Sequence, residues 1–411
     1  MSFTARGHPG IAGSHAKTLE LTRDPEVTRR ATCVVGVGSD HGDDLLALRG
    51  DVEVTVACGG HSDTFTATVT PHYLGDAGLV FRRGPALRGR TFAGGATKTA
   101  AGLDRALVAA LGERDAPVQV TVRELGTGDR RGVLFVVAVP IGNDDDLSPR
   151  ARRVLEVADV VLAEDTRRFR DLAARTGLRP PGRVESYHEH NEDERAGAAL
   201  AHLAAGARVA LVSDAGTPLC SDPGYLVVQR AVDAGYDVTP VPGPSSLLAV
   251  LSASGLPVDR FAYAGFLPRR AAARRAALGA RVAAGETFVC HEAPHRVRAL
   301  LADLADICGD WQVCVGREVT KVFEEFVRGP AAEVAAAFAD EEPKGEFTLV
   351  VAPPPGAPAP APGATVDVDR LARALLDEGV TPRSAARALA TLPGMSHKEA
   401  YARVLAIAER P

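Results

Sequence analysis

Strand-like and helix-like hydrophobic patterns alternate regularly between residues 133 and 253. The run VLFVVAV at 133–139 is apolar throughout, which is typical of a strand buried on both faces. Four further strands are predicted at DVVLA, VESYH, ARVALVS and YDVTPV, each followed by a helical segment. Five strands separated by helices predict a parallel, doubly wound α/β sheet.

Capping residues mark where these helices begin and end. The pair Ser148-Pro149 predicts a helix start, because serine is a good N-cap and proline suits the first helical position. Gly177 is predicted to end the helix TRRFRDLAART. Asn191, with Glu194 three residues later, and Asp222-Pro223 are predicted to open the next two helices.

The flanking segments follow other patterns. Before residue 126, DVEVTVACGG, DTFTATVT and VQVTVREL predict strands and TKTAAGLDRALVAALG predicts a helix, so we expect an α+β domain. The run PPPGAPAPAPGAT from Pro353 predicts an extended spacer. Beyond it, VDRLARALLDEG ends at Gly379 and a second helix resumes after Thr381-Pro382, which predicts a small helical domain.

Composition narrows the function classes. The 411 residues hold 47 basic and 52 acidic side chains, a formal net charge of -5, which excludes a histone-like protein that coats a polyanion. The acidity lies in residues 133–352, with 24 basic and 31 acidic groups. The chain has 42 arginines and only 5 lysines. Six cysteines without a C-x-x-C pair, and the lack of a long apolar run, predict a reduced cytoplasmic protein that does not span a membrane.

The loops that follow the predicted strands are the best candidates for a ligand site. The carboxyl ends of parallel strands meet at one edge of a sheet, so we expect these loops to form a cleft. They are PIGN (140–143), AEDTR (163–167), HEHNE (188–192), SDAGTP (213–218) and PGPSS (242–246). The middle segment lacks both G-x-G-x-x-G and G-x-x-x-x-G-K-[ST], which disfavours a dinucleotide or a nucleoside triphosphate as its ligand.

These loops, in this order, resemble a known family. Together with GFLP (265–268), HR (295–296), REVTK (317–321) and KGE (344–346), they are similar to ribosomal RNA small subunit methyltransferase I, in the tetrapyrrole methylase superfamily. The resemblance implies two α/β lobes with S-adenosylmethionine bound in the cleft between them, and a homodimer. It also implies 2′-O-methylation of a cytidine ribose in the decoding region of 16S rRNA, within the small ribosomal subunit.

Two alternatives stay open at this point. One is a tetrapyrrole-precursor methylase of the same fold, although such enzymes resemble G-x-G-P-G-D at the first loop, where this chain has AVPIGN. The other is a ribosome-binding assembly factor with little catalysis. Residues 1 to 125 resemble an archaeal-type domain of unknown function through GHPGIAGSHAKTLELT and RTFAGGATKTA.

Pattern and resemblance together divide the chain into six segments. We expect an α+β domain at 1–125, a linker at 126–132, two methylase lobes at 133–245 and 246–352, a proline-rich linker at 353–365 and a helical domain at 366–411. The resemblance implies that small and polar loop residues form the donor pocket. These are Pro140, Gly142, Asp214, Gly216, Thr217, Ser245 and Ser246.

A ribose hydroxyl is a weak nucleophile, so a base or strong acceptor should assist it. Arginine keeps its proton in proteins, whereas a buried lysine can become neutral, and Lys321 is one of only two lysines in the middle segment. One hypothesis is that Lys321, with Glu318, activates the hydroxyl or binds a phosphate; the alternative is a structural Glu318–Lys321 ion pair. Asp165 is a second catalytic candidate beside Glu164 and Arg167, with an Arg167–Glu164 surface pair as its alternative.

Arginines supply the predicted RNA contact. The stretch 266–281 carries five arginines and no acid, and arginines four to five residues apart lie on one helix face where they can bind phosphate. They are Arg269, Arg270, Arg274, Arg275 and Arg281, to which we add Arg167. The alternative is a solvated helix face. His188, His190 and Glu192 are a weak metal motif, and the resemblance implies no metal.

Overall fold

A computed structural model provides the coordinates of the protein. It describes residues 1–28, 31–75, 78–86, 89, 91–180, 182–339, 343–354, 368–391 and 395–408. Within these ranges the chain forms three β-sheets with their helices, followed by a group of C-terminal helices. From residue 355 onward, the predicted proline-rich linker 353–365 lies outside the described residues.

The first sheet has eight strands, mostly antiparallel, in the spatial order β1-β8-β4-β5-β7-β6-β2-β3. They are β1 (Ser2–Arg6), β2 (Thr18–Thr22), β3 (Val34–Gly36), β4 (Asp51–Cys58), β5 (His61–Val69), β6 (Gly78–Arg82), β7 (Thr91–Gly94) and β8 (Pro117–Glu124). Alternate residues of β4 are buried, so one face of the sheet forms the core with helix α1 (Arg105–Leu111). This helix is shorter than predicted because Asp104 caps it by accepting a hydrogen bond from the Leu107 amide.

The second sheet confirms the predicted parallel, doubly wound α/β fold. Its strands are β9 (Val133–Val137), β10 (Val160–Ala163), β11 (Arg183–Ser186), β12 (Arg208–Val212) and β13 (Asp237–Val241), all parallel in the order β11-β10-β12-β9-β13. The helices of this sheet are α2 (Pro149–Val157), α3 (Thr166–Thr176), α4 (Glu192–Ala204) and α5 (Tyr225–Asp233). The next helix, α6 (Ser246–Ala253), follows β13 but packs against the third sheet. Phe135 packs with α2 and α3 on one face, and Leu134 packs with α4 and α5 on the other.

The predicted helix ends of this sheet are confirmed only in part. Asn191 directly precedes α4 as predicted, but its side-chain oxygen accepts the His188 amide instead of capping the helix. Ser148 caps α2, and Gly177 ends α3 in the left-handed conformation, as predicted. However, α5 begins at Tyr225 rather than at Asp222-Pro223, because the Glu192 carboxylate accepts the Gly224 and Leu226 amides. Asp222 is therefore not used as a cap.

The third sheet follows directly and is mixed. Its strands are β14 (Phe261–Phe266), β15 (Thr287–Glu292), β16 (Gln312–Arg317), β17 (Glu325–Pro330) and β18 (Phe347–Ala352), in the order β14-β15-β18-β16-β17. Only β14 and β15 pair in parallel among these described strands. Helices α7 (Ala271–Ala284), α8 (Pro294–Cys308) and α9 (Ala331–Ala337) accompany the sheet. A shared apolar cluster that includes Ile141, Val250 and Val289 joins this lobe to the preceding one.

The C-terminal helices are α10 (Val368–Asp377), α11 (Pro382–Leu389) and α12 (His397–Ala408). Thr381 caps α11 as predicted, since its hydroxyl accepts a hydrogen bond from the Ser384 amide. The three helices form their own small core around Ala372, Leu389 and Val404. In the described part of the chain, none of the helices combines the length and the apolar character that a membrane crossing needs.

The first domain packs against the amino-terminal edge of the second sheet. Arg208, at the start of β12, is 1% exposed and donates hydrogen bonds to the Leu46 carbonyl (2.6 Å) and the Pro71 carbonyl (2.9 Å). Arg49 donates to the Gly206 carbonyl and pairs with Asp159, both at 2.8 Å. These contacts lie at the edge opposite the loops that follow the strands, so the first domain does not cover that edge.

Candidate active site

A cavity of about 320 Å³ lies between the two methylase-like lobes, beyond the carboxyl ends of the second sheet. We call it the interlobe cavity. The first lobe lines it with Ile141, Glu164, Arg168, Asp214, Ala215, Cys220, Ser221 and Asp222, and Ser246 lines it at the junction of the two lobes. The second lobe lines it with Phe266, His291, Glu292, Ala293, Pro294, Gly316, Val319, Gly345, Glu346, Phe347 and Thr348. Strand-ending loops of the first lobe thus face the second lobe across one concave site.

Hydrogen bonds join the loops that the sequence nominated for donor binding. Val139 and Gly216 exchange two backbone hydrogen bonds, of 2.9 and 3.1 Å, which tie the first loop to the fourth. The Thr217 hydroxyl donates to the Pro244 carbonyl at 3.0 Å, which ties the fourth loop to the fifth. The predicted residues of these loops are therefore close together at one edge of the sheet.

The predicted donor residues do not all line the same cavity. Asp214 and Ser246 line the interlobe cavity, whereas Ser245 lines a neighbouring cavity of about 310 Å³. Ile141, which follows Pro140, lines both. Gly216 has a φ of +80°, which a residue with a β-carbon rarely adopts.

The first loop also contacts the second lobe directly. Gly142 packs against Lys321 and Thr320, leaving no room for a β-carbon. The Asn143 amide donates to the Thr320 hydroxyl at 3.1 Å. The two lobes are therefore in direct contact at the end of the first loop.

Backbone strain is concentrated in two loops that border the cavity. Of the five non-glycine residues with positive φ in the described ranges, four lie here: Leu219 (73°) and Ser221 (72°) in one loop, Glu318 (49°) and Thr320 (68°) in the other. Such conformations cost of order 1–3 kcal/mol each and persist at binding sites when the surrounding structure imposes them.

Carboxylates dominate the electrostatics of the interlobe cavity. Five of them line it (Glu164, Asp214, Asp222, Glu292 and Glu346), against one guanidinium, that of Arg168. Burial, and then the charge of Glu164, raises the pKa of Asp222 to about 7. Burial likewise raises the pKa of Glu164 and of Asp214. Burying several carboxylates together favours a cationic ligand, because a cation relieves their repulsion.

Two of these carboxylates also hold the loops in place. The Glu164 carboxylate accepts a hydrogen bond from the Asp214 amide at 3.3 Å, and the Asp214 carboxylate accepts one from the Asp165 amide at 3.0 Å. The second and fourth loops are therefore linked in both directions.

Lys321 lies in an ion pair. Its ammonium is 2.8 Å from Glu318 and 3.2 Å from Glu346. Burial lowers the pKa of Lys321, but the hydrogen bond to Glu318 and the charge of Glu346 raise it more, so its net pKa lies above the ordinary value. This arrangement matches the structural ion pair, and it disfavours a neutral lysine that acts as a base.

Arg167 forms its salt bridge with Asp165, and not with Glu164 as the predicted alternative had it. The carboxylate accepts the Arg167 amide at 2.8 Å, as the cap of α3, and lies 2.7 Å from the Arg167 guanidinium. The hydrogen bonds from Arg167 hold the pKa of Asp165 far below its usual range. Asp165 is therefore a poor proton acceptor at neutral pH, and Arg167 is exposed at the rim.

The arginine stretch 266–281 divides into two groups, which corrects its interpretation as one phosphate-binding face. Arg274 is buried and lies 2.7 Å from Asp303 of α8. Arg275 pairs with Asp303 at 2.9 Å and also with Asp306. Both guanidinium groups are neutralised by carboxylates of α8 that lie 28 or more residues away in sequence. Arg269, Arg270 and Arg281 form no salt bridge to a described residue, and the first two are exposed.

Hydrogen bonds within the protein engage part of the histidine motif. Glu192 accepts hydrogen bonds from the Tyr187 hydroxyl and from two amides at the start of α5. His188 contacts the Asn191 side chain, and its ring lies 5.9 Å from that of His190. Within the described ranges, no group of three His, Cys, Asp or Glu side chains could hold a metal ion.

Several cavity residues were not among the predicted site residues. Asp222, Phe266, His291, Glu292 and Glu346 all line the interlobe cavity. Phe266 and Glu346 belong to the motifs GFLP and KGE, and His291 and Glu292 lie a few residues before HR. Asp222 lies four residues after SDAGTP, so the motifs marked the right segments. The sequence pattern could not reveal which side chain of each motif meets the cavity, because that depends on how the lobes pack.

Comparison with family models matches two regions. Residues 133–335 match the Tetrapyrrole (Corrin/Porphyrin) Methylases, and residues 3–124 match DUF371, a domain of unknown function.

Comparison with individual proteins finds closely similar relatives. A ribosomal RNA small subunit methyltransferase I from Xylella fastidiosa (strain Temecula1) is 45% identical over 273 residues, covering 66% of this chain and 98% of that protein. One from Micromonospora olivasterospora is 42% identical over 280 residues, covering 68% of this chain and 88% of that protein. The structure of uroporphyrin-III C-methyltransferase from Thermus thermophilus with S-adenosylhomocysteine is 23% identical, covers 54% of this chain and 97% of that one, and has a TM-score of 0.38.

Proposed function

The chain belongs to the ribosomal RNA small subunit methyltransferase I family, and from this premise we propose that it methylates the ribose 2′-hydroxyl of a cytidine in the decoding region of 16S rRNA. Family membership makes it an S-adenosylmethionine-dependent rRNA methyltransferase. The proposal adds the atom that is methylated, the ribose 2′-oxygen of a cytidine, and the place of that cytidine in 16S rRNA. The observation that carries the proposal is the carboxylate-lined cavity between the lobes, which four of the five strand-ending loops line; the loop 188–192 does not.

The chemistry of the cavity fits the donor. When bound, S-adenosylmethionine supplies an electrophilic methyl group on a positively charged sulfur. Glu164, Asp214 and Asp222 provide negative charge where such a cation would bind. Once the methyl group has left, the sulfur is neutral, so the same carboxylates hold the product less strongly.

We assign the donor pocket to the three linked loops of the first lobe. The assigned residues are Pro140, Gly142, Asp214, Gly216, Thr217, Ser245 and Ser246. Support comes from the backbone bonds between Val139 and Gly216 and from the Thr217–Pro244 bond, which fix the loops relative to one another. Fixed backbone amides and carbonyls can position a donor for in-line transfer, which lowers the barrier without any chemical step by the protein.

RNA is a polyanion, so its phosphates should stay at the rim rather than enter an acidic cavity. We assign the rim contacts to Arg167, Arg269, Arg270 and Arg281. Arg167 is 84% exposed at its side chain, and Arg269 follows Phe266, a cavity residue, by three positions. Arg274 and Arg275 are left out of this assignment because Asp303 neutralises them.

Two carboxylates neutralise Lys321, so we assign to it neither proton abstraction nor phosphate binding, but the positioning of the first loop against the second lobe. Its ammonium is held by two carboxylates at the contact between the lobes. Asp222, whose pKa lies near neutrality, is better suited than Lys321 or Asp165 to accept the hydroxyl proton.

We further propose that the enzyme acts on the assembled small subunit as a homodimer. Val322 and Phe323, next to Lys321, are 92% and 79% exposed, and Leu248 of α6 is 55% exposed. Apolar side chains this exposed are common at subunit interfaces. Light scattering of the purified protein would test the homodimer directly: a monomer at micromolar concentration would contradict it.

The decisive experiment for the function uses unmethylated small ribosomal subunits and S-adenosylmethionine with a labelled methyl group. We expect the label at one cytidine of the decoding region, resistant to alkaline cleavage on its 3′ side because its 2′-oxygen is methylated. Free 16S rRNA serves as the comparison substrate and tests whether the assembled subunit is required. Label on a base, or none in 16S rRNA, would overturn the proposal.

A further inference from the structure

The second-lobe wall of the interlobe cavity is built differently from the donor loops. It carries Phe266 at the end of β14, and His291 and Glu292 at the end of β15. These strands are parallel neighbours, so all three residues lie at one edge of the third sheet. None of the three has a role in the assignments made above.

Phe266 presents an aromatic surface to the cavity. It is 54% exposed, which is unusual for a phenylalanine that lines a concave site. Its ring lies 5.7 Å from that of His291, which in turn lies 5.4 Å from the ring of Tyr263. The His291 ring is fixed by a 3.0 Å hydrogen bond between Nδ1 and the Thr348 hydroxyl. A rigid aromatic group with one open face is a stacking platform for a base.

Glu292 provides a hydrogen-bond acceptor beside that platform. It is 2% exposed, and its Oε1 atom accepts the Ala293 amide at 2.9 Å and lies 3.0 Å from Arg296 Nε. Its Oε2 atom, by contrast, has no hydrogen-bond partner among the described residues. An unpaired buried carboxylate oxygen is costly, so such atoms usually have a partner. A ligand that donates a hydrogen bond would supply the missing partner.

We propose that Phe266 and Glu292 form the subsite for the target base, in which cytosine stacks on Phe266 and its exocyclic N4 amine donates to Glu292. This inference rests on the proposed function, because it takes a cytidine as the target. Cytosine offers an N4 donor, whereas uracil offers an O4 acceptor at the same position, which a carboxylate repels. The subsite therefore selects cytidine over uridine.

An adenine also carries an exocyclic amine, so the donor's own adenine is the competing occupant. Two observations favour the target base. The donor loops lie on the first lobe, whereas Phe266 and Glu292 lie on the second. Phe266 is also followed, within four residues, by the exposed Arg269 and Arg270, which suit the phosphates of an entering RNA strand.

The test compares Glu292→Gln with the wild type on reconstituted small subunits that carry either cytidine or uridine at the methylated position. A glutamine amide can donate to uracil O4, so we expect the preference for cytidine over uridine in kcat/KM to fall about tenfold or more. The dissociation constant of S-adenosylmethionine, measured by calorimetry, should stay within about twofold. Glu333→Gln, an exposed glutamate on α9, is the matched control and should change neither quantity.

A second variant guards against misfolding of Glu292→Gln, since that change alters a buried pair with Arg296. Phe266→Leu removes an exposed ring and should fold normally; we expect KM for small subunits to rise about tenfold with donor affinity unchanged. An unchanged cytidine preference and an unchanged KM would overturn the inference, as would an equal loss of donor affinity, which would indicate an adenine subsite. A wild-type enzyme that labels no cytidine would instead overturn the proposed function, and this inference with it.

Discussion

Gly142 of the first lobe lies directly beneath the side chain of Lys321 of the second lobe. A β-carbon at position 142 would overlap Lys321 Cγ and would lie 2.9 Å from the Thr320 hydroxyl. The neighbouring Asn143 amide already donates to that hydroxyl. The first donor loop and the ion-paired Lys321 are therefore positioned by one contact, and the distance between the lobes depends on it.

We expect Gly142→Ala to weaken S-adenosylmethionine binding about tenfold or more, because the added carbon must push the lobes apart. The free energy of unfolding should change by no more than about 1 kcal/mol, since the contact lies at a loop and not in a core. Calorimetric titration and chemical denaturation would measure the two effects. Gly197→Ala is the control: its β-carbon would meet nothing within 4 Å, so donor affinity should be unchanged. Equal donor affinity in both variants would contradict the role given to this contact.

Substitutions at Lys321 separate charge from proton transfer. Because the lysine is held as an ammonium by Glu318 and Glu346, we expect Lys321→Arg to retain kcat within about fivefold, whereas Lys321→Met loses about a hundredfold. Single-turnover methylation of small subunits gives both numbers. Lys344→Arg, at the exposed second lysine of the lobes, is the control and should behave as the wild type. Loss of activity in Lys321→Arg equal to that in Lys321→Met would restore the lysine as a base.

Local patterns were enough to predict the second sheet. Its strands are short, most of them are apolar, and helical segments separate them, so each strand could be located from its own residues. The position of the cleft then followed from the parallel order alone. Ser148, Gly177 and Thr381 mark helix ends as expected, because each acts on amides or carbonyls within a few residues of itself.

The predictions failed where a residue that is distant in sequence supplies a hydrogen bond or a charge that the local pattern does not contain. The start of α5 could not be predicted because Glu192, more than thirty residues upstream, supplies its cap. The acid-free arginine stretch seemed unpaired for the same reason: Asp303 and Asp306 come from the next helix. Glu292 likewise became a candidate only because the structure places it in the lining of the interlobe cavity. Sequence reasoning finds the segments of such a site, and tertiary packing decides which side chains in them are available.

The divided arginine stretch predicts opposite effects for neighbouring positions. Arg274→Ala leaves Asp303 buried with only Arg275 as a partner, so we expect the free energy of unfolding to fall by about 3 kcal/mol. Arg269→Ala should leave stability unchanged and should weaken binding to small subunits several-fold, with a smaller salt dependence. Denaturation curves and filter binding at two salt concentrations distinguish the two. Weaker RNA binding by a fully stable Arg274→Ala would contradict the division.

Asp222 predicts a pH dependence of both stability and donor binding. Its pKa is raised from 3.8 to about 7, so the folded state holds a proton that the unfolded state has lost between these values. The free energy of unfolding should therefore fall as the pH rises through about 7, while affinity for the cationic donor should increase over the same range. Asp222→Asn should flatten both profiles, whereas Asp233→Asn, at an exposed position on α5, should not. Profiles from about pH 5 to about pH 8.5 that match the wild type in Asp222→Asn would refute the assignment.

The buried Arg208 predicts how the first domain is attached. Burial lowers the pKa of its guanidinium to about 10. Arg208→Met would remove the donor to the Pro71 carbonyl and one of the two donors to the Leu46 carbonyl, which keeps its hydrogen bond from Arg49. We expect that variant to lose about 2 kcal/mol of stability and to be cleaved faster by protease within 126–132, because the first domain detaches more often. Arg183→Met, an exposed residue at the same edge of the sheet, is the control. Since this edge lies opposite the interlobe cavity, methylation of small subunits well below the unfolding temperature should be unchanged in both. Slower methylation by a folded Arg208→Met would mean that the first domain acts on the cavity after all.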